Sequence, residues 1–215
     1  MTTDEVTSAR RRYRSPLREQ QAGQTRAAVV KAATELFARK GWAATGMRDV
    51  ARAAGVAVET VYGNFRSKGE LLIACIDVAV VADEEPVPLA QRPAFLALGR
   101  GTRAHRVRAA ARFLRGIHER SARLLLALRE AAAGDIELAQ WRRTAEGRRR
   151  RDVEQALSLV AGRPVRREEC DGIWAVMAVE VYELLTDVRG WTPQQYERWL
   201  SGVIDRLLAG GSRGD

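Results

Sequence analysis

The sequence predicts an all-α protein, with an N-terminal domain of three helices followed by a larger helical body. Three observations indicate this fold. Apolar residues recur at the spacing i, i+3, i+4, i+7 of a buried helical face, and Gly, Asp or Pro separate the segments that carry this pattern. The body, from residue 89 onward, lacks the alternation typical of strands. With 215 residues, of which 46% are hydrophobic, the chain can bury a substantial core.

The stretch from Thr45 to Phe65 has the pattern of two short helices joined at a glycine. Its first apolar face comprises Met47, Val50, Ala51 and Ala54, and its second comprises Val58, Val61, Tyr62 and Phe65. Gly55, between the two, suits the left-handed conformation that ends a helix. This arrangement is typical of a helix-turn-helix, whose second helix enters the major groove of DNA. On the pattern alone, a purely structural helical hairpin is the alternative.

A preceding helix is predicted from Gln21 to Lys40. Its buried stripe comprises Val29, Ala33, Leu36 and Phe37, and Gly41 ends it. Thr45 or Gly46 is expected to cap the next helix. Three helices therefore fill residues 21–65, which gives the helix-turn-helix a core of its own.

Charge is unevenly distributed along the chain, whose formal net charge is +9. Residues 1–68 contain 13 Lys/Arg and 6 Asp/Glu, whereas residues 69–215 contain 23 and 21. A basic N-terminal third indicates a polyanionic partner for that third. Within it, residues 1–20 are predicted to form a flexible basic arm. This arm is either a solvated tail or a segment that grips phosphates or the minor groove of DNA.

Composition and motifs narrow the remaining functional classes. Cys75 and Cys170 are isolated in apolar stretches, so we expect packing residues in a reducing compartment. The first 20 residues lack the apolar core of a signal peptide, and no apolar run is long enough to span a membrane. These features predict a soluble, cytoplasmic protein with no membrane partner. The motifs of hydrolases and nucleotide-binding enzymes are absent, so we expect no enzyme, no cofactor and no metal.

Residues 25–72 read TRAAVVKAATELFARKGWAATGMRDVARAAGVAVETVYGNFRSKGELL. A distinctive set of residues recurs in them at fixed spacing: Arg26, Ala32–Ala33, Leu36–Phe37, Gly41–Trp42, Thr45, Val50–Ala51, Ala54–Gly55–Val56, Tyr62, Phe65, Ser67–Lys68 and Leu71. With this set, the segment resembles the DNA-binding domain of the tetracycline-repressor (TetR) family. The resemblance implies three parts: an arm at 1–20, a DNA-binding domain at 21–66, and a helical regulatory and dimerisation domain at 67–215.

The resemblance also implies which residues contact DNA. Phosphate contacts are expected from Thr45, Tyr62 and Lys68. Bases are expected to be read by Arg48, Ala57, Val58 and Glu59, because Arg can pair with guanine, Glu can accept from cytosine and Val can touch a thymine methyl. Periodicity also allows Val58 to be a core residue. The predicted surface further includes three positions that depart from the usual family pattern, namely Gly46, Gly63 and Asn64.

Beyond this domain, a fourth helix is predicted from Ser67 to Ala82, and an acidic, Pro-containing break follows at 83–88. Ser67 and Glu70 have the spacing of a capping box. Further helices are predicted near 89–99, 103–119, 121–133, 135–161, 167–187 and 193–209. The four arginines at 148–151 are expected to form a solvated helix face, with a second DNA-contact patch as the alternative. His105 and His118 are expected to be solvated.

The last two predicted helices carry more apolar surface than one small body can cover, which predicts a homodimer interface. The family forms a four-helix bundle between two subunits from the corresponding helices. The predicted interface residues are Ile173, Met177, Val181, Leu184, Trp199, Val203, Ile204 and Leu207.

Family members usually bind a small molecule in the body and then release DNA. Four residues are candidates to line such a pocket: Phe113, Trp141, Trp174 and Met177. The resemblance therefore implies a dimeric repressor that binds a pseudo-palindromic operator in double-stranded DNA and is released by a small, mainly apolar effector. The alternative is a helix-turn-helix protein without a small-molecule effector, either architectural or responsive to another protein.

Overall fold

The computed structural model describes residues 16–83 and 85–209, with the backbone alone at 16–19. Within these ranges the chain is helical and has no strand, which confirms the all-α prediction. The helices are α1 (Pro16–Lys40), α2 (Met47–Ala54), α3 (Val58–Asn64), α4 (Lys68–Val81), α5 (Pro93–Leu96), α6 (Arg103–Ala132), α7 (Ile136–Ala161), α8 (Arg167–Val176), α9 (Val179–Glu183) and α10 (Pro193–Ala209). None of the described helices is both long and apolar enough to cross a bilayer.

The N-terminal helices surround a core that also includes part of the body. Phe37 of α1, Val61 of α3 and Leu72 of α4 are almost fully buried in this core. Leu124 and Leu128 of α6 pack in the same cluster. Helices α2 and α3 are therefore supported by α4 and by the end of α6. This support couples their position to the body.

A second core lies within the body. Ile173, Tyr196, Leu200 and Ile204 are among its members with 0% of their surface exposed. These residues join α8 and α10 to the middle of α6 and to α7. The long α6 helix belongs to both cores and connects them.

Several helix boundaries differ from those predicted. The first helix begins at Pro16, before the predicted start at Gln21, and residues 1–15 of the predicted arm lie outside the described residues. The helices predicted at 103–119 and 121–133 form the single helix α6. Ser121 does not end the helix, because its hydroxyl donates to the carbonyl of Ile117 at 2.8 Å and so is satisfied within the helix.

Two other predicted helices are interrupted. The helix predicted at 89–99 consists of a 3-10 turn (Leu89–Gln91), the short α5 and a second 3-10 turn (Ala97–Gly99). The helix predicted at 167–187 breaks at 177–178, and a π-helical turn at Leu184–Val188 follows α9. The break is stabilised from outside, since Arg149 of α7 donates to the carbonyls of Trp174 and Met177.

Glu169 fixes the start of α8. Both of its carboxylate oxygens accept from the guanidinium of Arg163, at 3.0 and 2.8 Å, and one also accepts from the N–H of Arg166 at 2.8 Å. Glu169 is only 3% exposed. The bond from Arg163 is the main cause that lowers the pKa of Glu169 from 4.5 to about 2.

We expect Glu169→Gln to lower the free energy of unfolding at pH 7 by about 2 kcal/mol, because the ion pair with Arg163 is lost and the amide NH2 group cannot accept the hydrogen bonds made by one of the two carboxylate oxygens. The lowered pKa means that the contribution of the carboxylate is present above pH 4.5 and is lost as the pH falls towards about 2. The difference between the two proteins should narrow over that range in urea titrations. Glu168→Gln, on the exposed neighbour, is the control, and an equal loss in both variants would contradict the assignment.

Candidate nucleic-acid interface and effector cavity

The turn between α2 and α3 has the predicted glycine conformation. Gly55 has φ +69°, in the left-handed region that disfavours any side chain. The N–H of Val56 then bonds to the carbonyl of Ala51 at 3.0 Å, which closes the end of α2. This geometry confirms the predicted turn.

Helix α3 is held by its C-terminal end more than by its start. Ala57 is its N-cap and provides no side-chain bond, as its sequence predicts. At the other end, Phe65 is fully buried, and the guanidinium of Arg26 from α1 lies 4.3 Å from the centre of its ring. The side-chain amide of Asn64 donates to the carbonyl of Thr60 at 2.8 Å, so this predicted DNA-contact residue already closes the last turn.

Helices α2 and α3 form an open depression on the surface. Six predicted DNA-contact residues line it: Gly46, Arg48, Val58, Glu59, Tyr62 and Gly63. Arg48 and Glu59 are exposed, and Tyr62 is 53% exposed. Ala57 is also exposed, at the start of α3. Val58 is half-buried and packs against the core, as periodicity allowed, while it also lines this depression. Its contact with a base stays a prediction.

The sequence reasoning missed Asp49 and Arg52, which line the same depression. They form an ion pair at 3.5 Å, and the side chain of Arg52 is 81% exposed. The signal was available, since Arg52 follows Arg48 by one helical turn. Two arginines and two acids thus share the depression, so the basic excess of the N-terminal third lies mainly outside it.

The structure corrects the role predicted for Thr45. Its hydroxyl donates to the carbonyl of Gly41 at 2.8 Å, and the residue is 2% exposed. A hydroxyl buried in this way stabilises the turn between α1 and α2 and is not available to a phosphate. The burial and the internal hydrogen bond of Thr45 contradict the phosphate contact predicted for its side chain.

Lys68 is partly engaged within the protein. Its ammonium group donates to the carbonyl of Trp42 and lies 4.0 Å from the centre of the Trp42 ring. Desolvation lowers the pKa of Lys68, while the charge of Glu130 opposes this effect. Because an ammonium group has three donors, a phosphate at this position would share the lysine with Trp42.

The end of α6 is bonded to the turn between α1 and α2. The carboxylate of Glu130 accepts from the N–H groups of Trp42 and Ala43, at 3.1 and 3.2 Å. Ten residues earlier on the same helix, Arg120 donates to the carbonyls of Ala79 and Val80 at the end of α4. Helix α6 therefore makes hydrogen bonds both to the α1–α2 turn and to the end of α4, the helix that follows the N-terminal domain.

Ser67 caps α4 by accepting from the N–H of Glu70 at 3.1 Å. The carboxylate of Glu70 reaches back to the N–H of Arg66 at 2.8 Å, one residue before the N-cap. The bonds thus differ slightly from those of the predicted capping box, in which Glu70 would accept from Ser67.

The body contains a cavity of about 920 Å³, bordered mainly by α4, α6 and α7. Its wall is largely apolar and includes three of the four predicted pocket residues, Phe113, Trp141 and Met177. Trp174 lies outside the wall. Its ring packs against the guanidinium of Arg149 at 4.8 Å, and its buried N–H has no hydrogen-bond partner among the described residues. The volume falls within the range of small-molecule sites.

His118 borders this cavity and is 4% exposed, so the prediction that it is solvated was wrong. Its Nδ1 lies 3.1 Å from the hydroxyl of Tyr196 on α10. Burial, with a further contribution from the charge of Arg149, lowers the pKa of His118 to about 4, so the ring is neutral at pH 7. The arginines beside it in sequence obscured its position, but it follows Leu114 by one turn on the buried face of α6.

The arginine run was also only partly a solvated face. Arg149 is half-buried and holds the α8–α9 break, and Arg150 pairs with Asp171 of α8 at 2.9 Å. Arg151 is exposed. The run thus ties α7 to its neighbours, which a count of consecutive charges does not reveal.

The predicted dimer surface is reduced by two residues. Ile173 and Ile204 are fully buried in the core of their own chain, so their side chains are not available to a partner. Leu184 and Leu207 are exposed, and the predicted residues Met177, Val181, Trp199 and Val203 are half-buried. Val188, which was not predicted, is 69% exposed on the π-helical turn beside them.

Part of the chain is similar in sequence to known bacterial regulatory proteins. Residues 29–75 match the profile of bacterial regulatory proteins of the tetR family. The HTH-type transcriptional regulator TtgR of Pseudomonas putida is 37% identical over 59 residues, which are 27% of this chain and 28% of that protein. The aligned segment therefore spans little more than a quarter of that relative.

Solved structures share the fold over most of the chain. A putative TetR-family transcriptional regulator from Mesorhizobium loti superposes with a TM-score of 0.65 at 15% identity, over 88% of this chain and 97% of the other. NalD of Pseudomonas aeruginosa, the secondary repressor of the MexAB-OprM multidrug efflux pump, gives a TM-score of 0.58 at 22% identity, over 87% and 96%.

Helices α1, α2 and α3, hereafter called the reader, contain the left-handed turn at Gly55 and are joined to a helical body. This arrangement is that of a helix-turn-helix protein. The matched segment, residues 29–75, covers the second part of α1, all of α2 and α3, and the first part of α4. Residues 29–75 are thus similar to the DNA-binding segment of the tetR family of bacterial regulatory proteins, and the fold of the chain is that of structures described as TetR-family regulators.

Proposed function

We propose that this protein is a homodimeric transcriptional repressor that binds a pseudo-palindromic operator and is released when a small molecule enters the cavity of the body. The observation that carries the proposal is the position of α6. This helix borders the cavity, and its side chains Arg120 and Glu130 hold the end of α4 and the turn before α2. In this proposal the protein acts in the cytoplasm, where DNA is accessible.

The surface of the reader supports DNA binding. Arg48, Glu59 and Tyr62 lie together on exposed parts of α2 and α3. An arginine and a carboxylate can read guanine and cytosine in the major groove, while a tyrosine hydroxyl can bond to a phosphate. Phe65, one turn after Tyr62, anchors α3 in the core.

The cavity supports the effector-responsive form over the alternative without an effector. An architectural DNA binder has no need of a space of about 920 Å³ beside the helix that holds its reader. A ligand that prefers one arrangement of α4 and α6 shifts the balance between them, and about 5.5 kcal/mol of differential affinity would reverse it almost completely.

Selection of bound genomic fragments by the full chain tests the proposal. We expect a recurring pseudo-palindrome whose half-site centres lie about 34 Å apart, because two readers of a symmetric dimer contact DNA one helical turn apart. Sedimentation of the complex should show two chains on one site. A single isolated half-site, occupied by one chain, would count against the dimer.

A further inference from the structure

Within residues 16–83 and 85–209, nothing requires a glycine at position 63. Gly63 lies inside α3 with an ordinary helical backbone, in contrast to Gly41 and Gly55, whose left-handed φ angles of +74° and +69° disfavour any side chain. A Cβ atom built on Gly63 meets nothing in these ranges within 4 Å apart from its chain neighbours and its own helix backbone. At Gly46, by comparison, a Cβ atom would lie 3.1 Å from a carboxylate oxygen of Asp49. Neither conformation nor packing therefore accounts for Gly63.

A glycine at this position weakens a helix that is already short. Helix α3 has seven residues, and its N-cap, Ala57, makes no side-chain hydrogen bond. Glycine destabilises a helix relative to alanine, because glycine loses more backbone freedom on folding. Gly63 thus lowers the stability of the helix that is proposed to enter DNA. A contact made outside the chain accounts for such a residue.

Gly63 belongs to the surface that is predicted to face DNA. It is exposed, lines the depression formed by α2 and α3, and follows Glu59 by about one helical turn, so both residues lie on one face of α3. The next side chain, that of Asn64, is folded back onto the helix, because its amide donates to the carbonyl of Thr60 at 2.8 Å. At positions 63 and 64, the last turn of α3 therefore presents its backbone rather than extended side chains.

The position of Gly63 along α3 indicates which part of DNA it would meet. In helix-turn-helix complexes, the first residues of the recognition helix contact the edges of bases. Gly63 lies four residues after Glu59, the last of the predicted base-reading residues, and this separation is about 6 Å along the helix axis. Because the major groove is only about 12 Å wide, a helix that reads bases at its start has its last turn near the sugar–phosphate wall of the groove.

We propose that Gly63 sets the depth at which α3 enters the major groove, because the absence of a side chain lets the sugar–phosphate backbone of the operator contact the backbone of the last helical turn. Gly63 is thus a positioning residue, which allows Arg48 and Glu59 to reach the bases. This inference rests on the proposed binding of a DNA operator and assigns a role to one residue in that complex.

Gly63→Ala in the full chain tests the inference, because its effects on stability and on DNA binding have opposite signs. We expect its thermal unfolding midpoint to rise by about 1–3 °C, since alanine favours the helix and the added methyl group meets no other side chain of the described residues. Its affinity for the selected operator, measured by fluorescence anisotropy, should nevertheless fall about tenfold, the order of the loss of one base contact. Gly63→Leu should lose more affinity than Gly63→Ala, because its side chain is larger.

Gly23→Ala is the matched control. Gly23 of α1 is also exposed and helical, and a Cβ atom built on it also has open space among the residues that the structure describes, but it lies outside the depression. Its thermal midpoint should rise to a similar extent, and its operator affinity should be unchanged. Operator binding by Gly63→Ala that is as tight as that of the unaltered protein would overturn the inference. An equal loss of affinity in Gly63→Ala and Gly23→Ala would overturn it too, because that loss would not depend on the depression.

Operator fragments with single base-pair substitutions identify the part of DNA that Gly63 meets. Contact with the sugar–phosphate backbone predicts that Gly63→Ala loses the same factor of affinity on every fragment, and that the salt dependence keeps its slope because no charge is removed. A loss concentrated at one base pair would overturn the backbone contact. Failure of the unaltered protein to bind any selected fragment would contradict the proposed function, whereas undiminished binding by Gly63→Ala would contradict this inference alone.

Discussion

Replacing Phe65 by alanine is expected to lower the free energy of unfolding by about 3–5 kcal/mol, the usual cost of truncating a fully buried phenylalanine. Phe65 has no exposed surface, ends α3 and supports the guanidinium of Arg26 from α1. Its removal leaves a cavity where the reader helix joins its core. Urea unfolding followed by circular dichroism measures the loss.

Tyr62→Ala is the matched control, because Tyr62 lies on the same helix, is also aromatic and is 53% exposed. We expect its stability to change by no more than about 0.5 kcal/mol, as for other surface positions. Its operator affinity should nevertheless fall, whereas Phe65→Ala should lose affinity mainly through unfolding of the reader. Equal stability losses in the two variants would show that the division between core and surface is wrong.

Arg48→Ala is expected to weaken binding to the selected operator by about 1–3 kcal/mol, or about 5–150-fold, the range for a good bidentate base contact. Arg48 is exposed on α2, and its side chain lines the depression shared with Glu59 and Tyr62. Because a base contact reads sequence, binding to unrelated DNA should weaken much less. Fluorescence anisotropy with both fragments at one salt concentration measures the two losses.

Arg108→Ala provides the charge-matched control, since it removes one positive charge from an exposed part of α6. Its affinity for either fragment should be almost unchanged. If Arg48→Ala weakens both fragments to the same degree and flattens the salt dependence, Arg48 contacts phosphate, and the base-reading assignment is wrong.

Features that depend on local periodicity were predictable from the sequence. The left-handed turn at Gly55, the weak start of α3 at Ala57 and the cap at Ser67 each follow from one residue type at one position. The grouping of Arg48, Glu59 and Tyr62 on one surface follows from the spacing of two short helices. Local chemistry determines these features, so distant contacts do not change them.

The remaining features depend on contacts between distant residues. Arg149 is held by carbonyls 25 and 28 residues away, and these contacts accompany the break in the predicted helix 167–187. His118 is buried against Tyr196, 78 residues later. Thr45 was assigned to DNA by resemblance, but the hydroxyl is used within the turn. Side-chain partners of this kind have no signature in a local pattern.

The hydrogen bonds made by Arg120 and Glu130 of α6 also have a consequence for the proposed effector response. They allow the effector to change while the effect on DNA binding stays the same. Arg120 and Glu130 are ten residues apart on one continuous helix, a separation of about 15 Å. Their partners are backbone groups, Ala79 and Val80 on one side and Trp42 and Ala43 on the other, whose side chains can vary without loss of the bonds. Substitutions at Phe113 or Ile117 change the shape of the cavity and leave the hydrogen bonds of Arg120 and Glu130 in place. In the proposed mechanism, recognition of the effector and the response to it would therefore diverge independently, and a few substitutions in the wall would give the same response to a different effector.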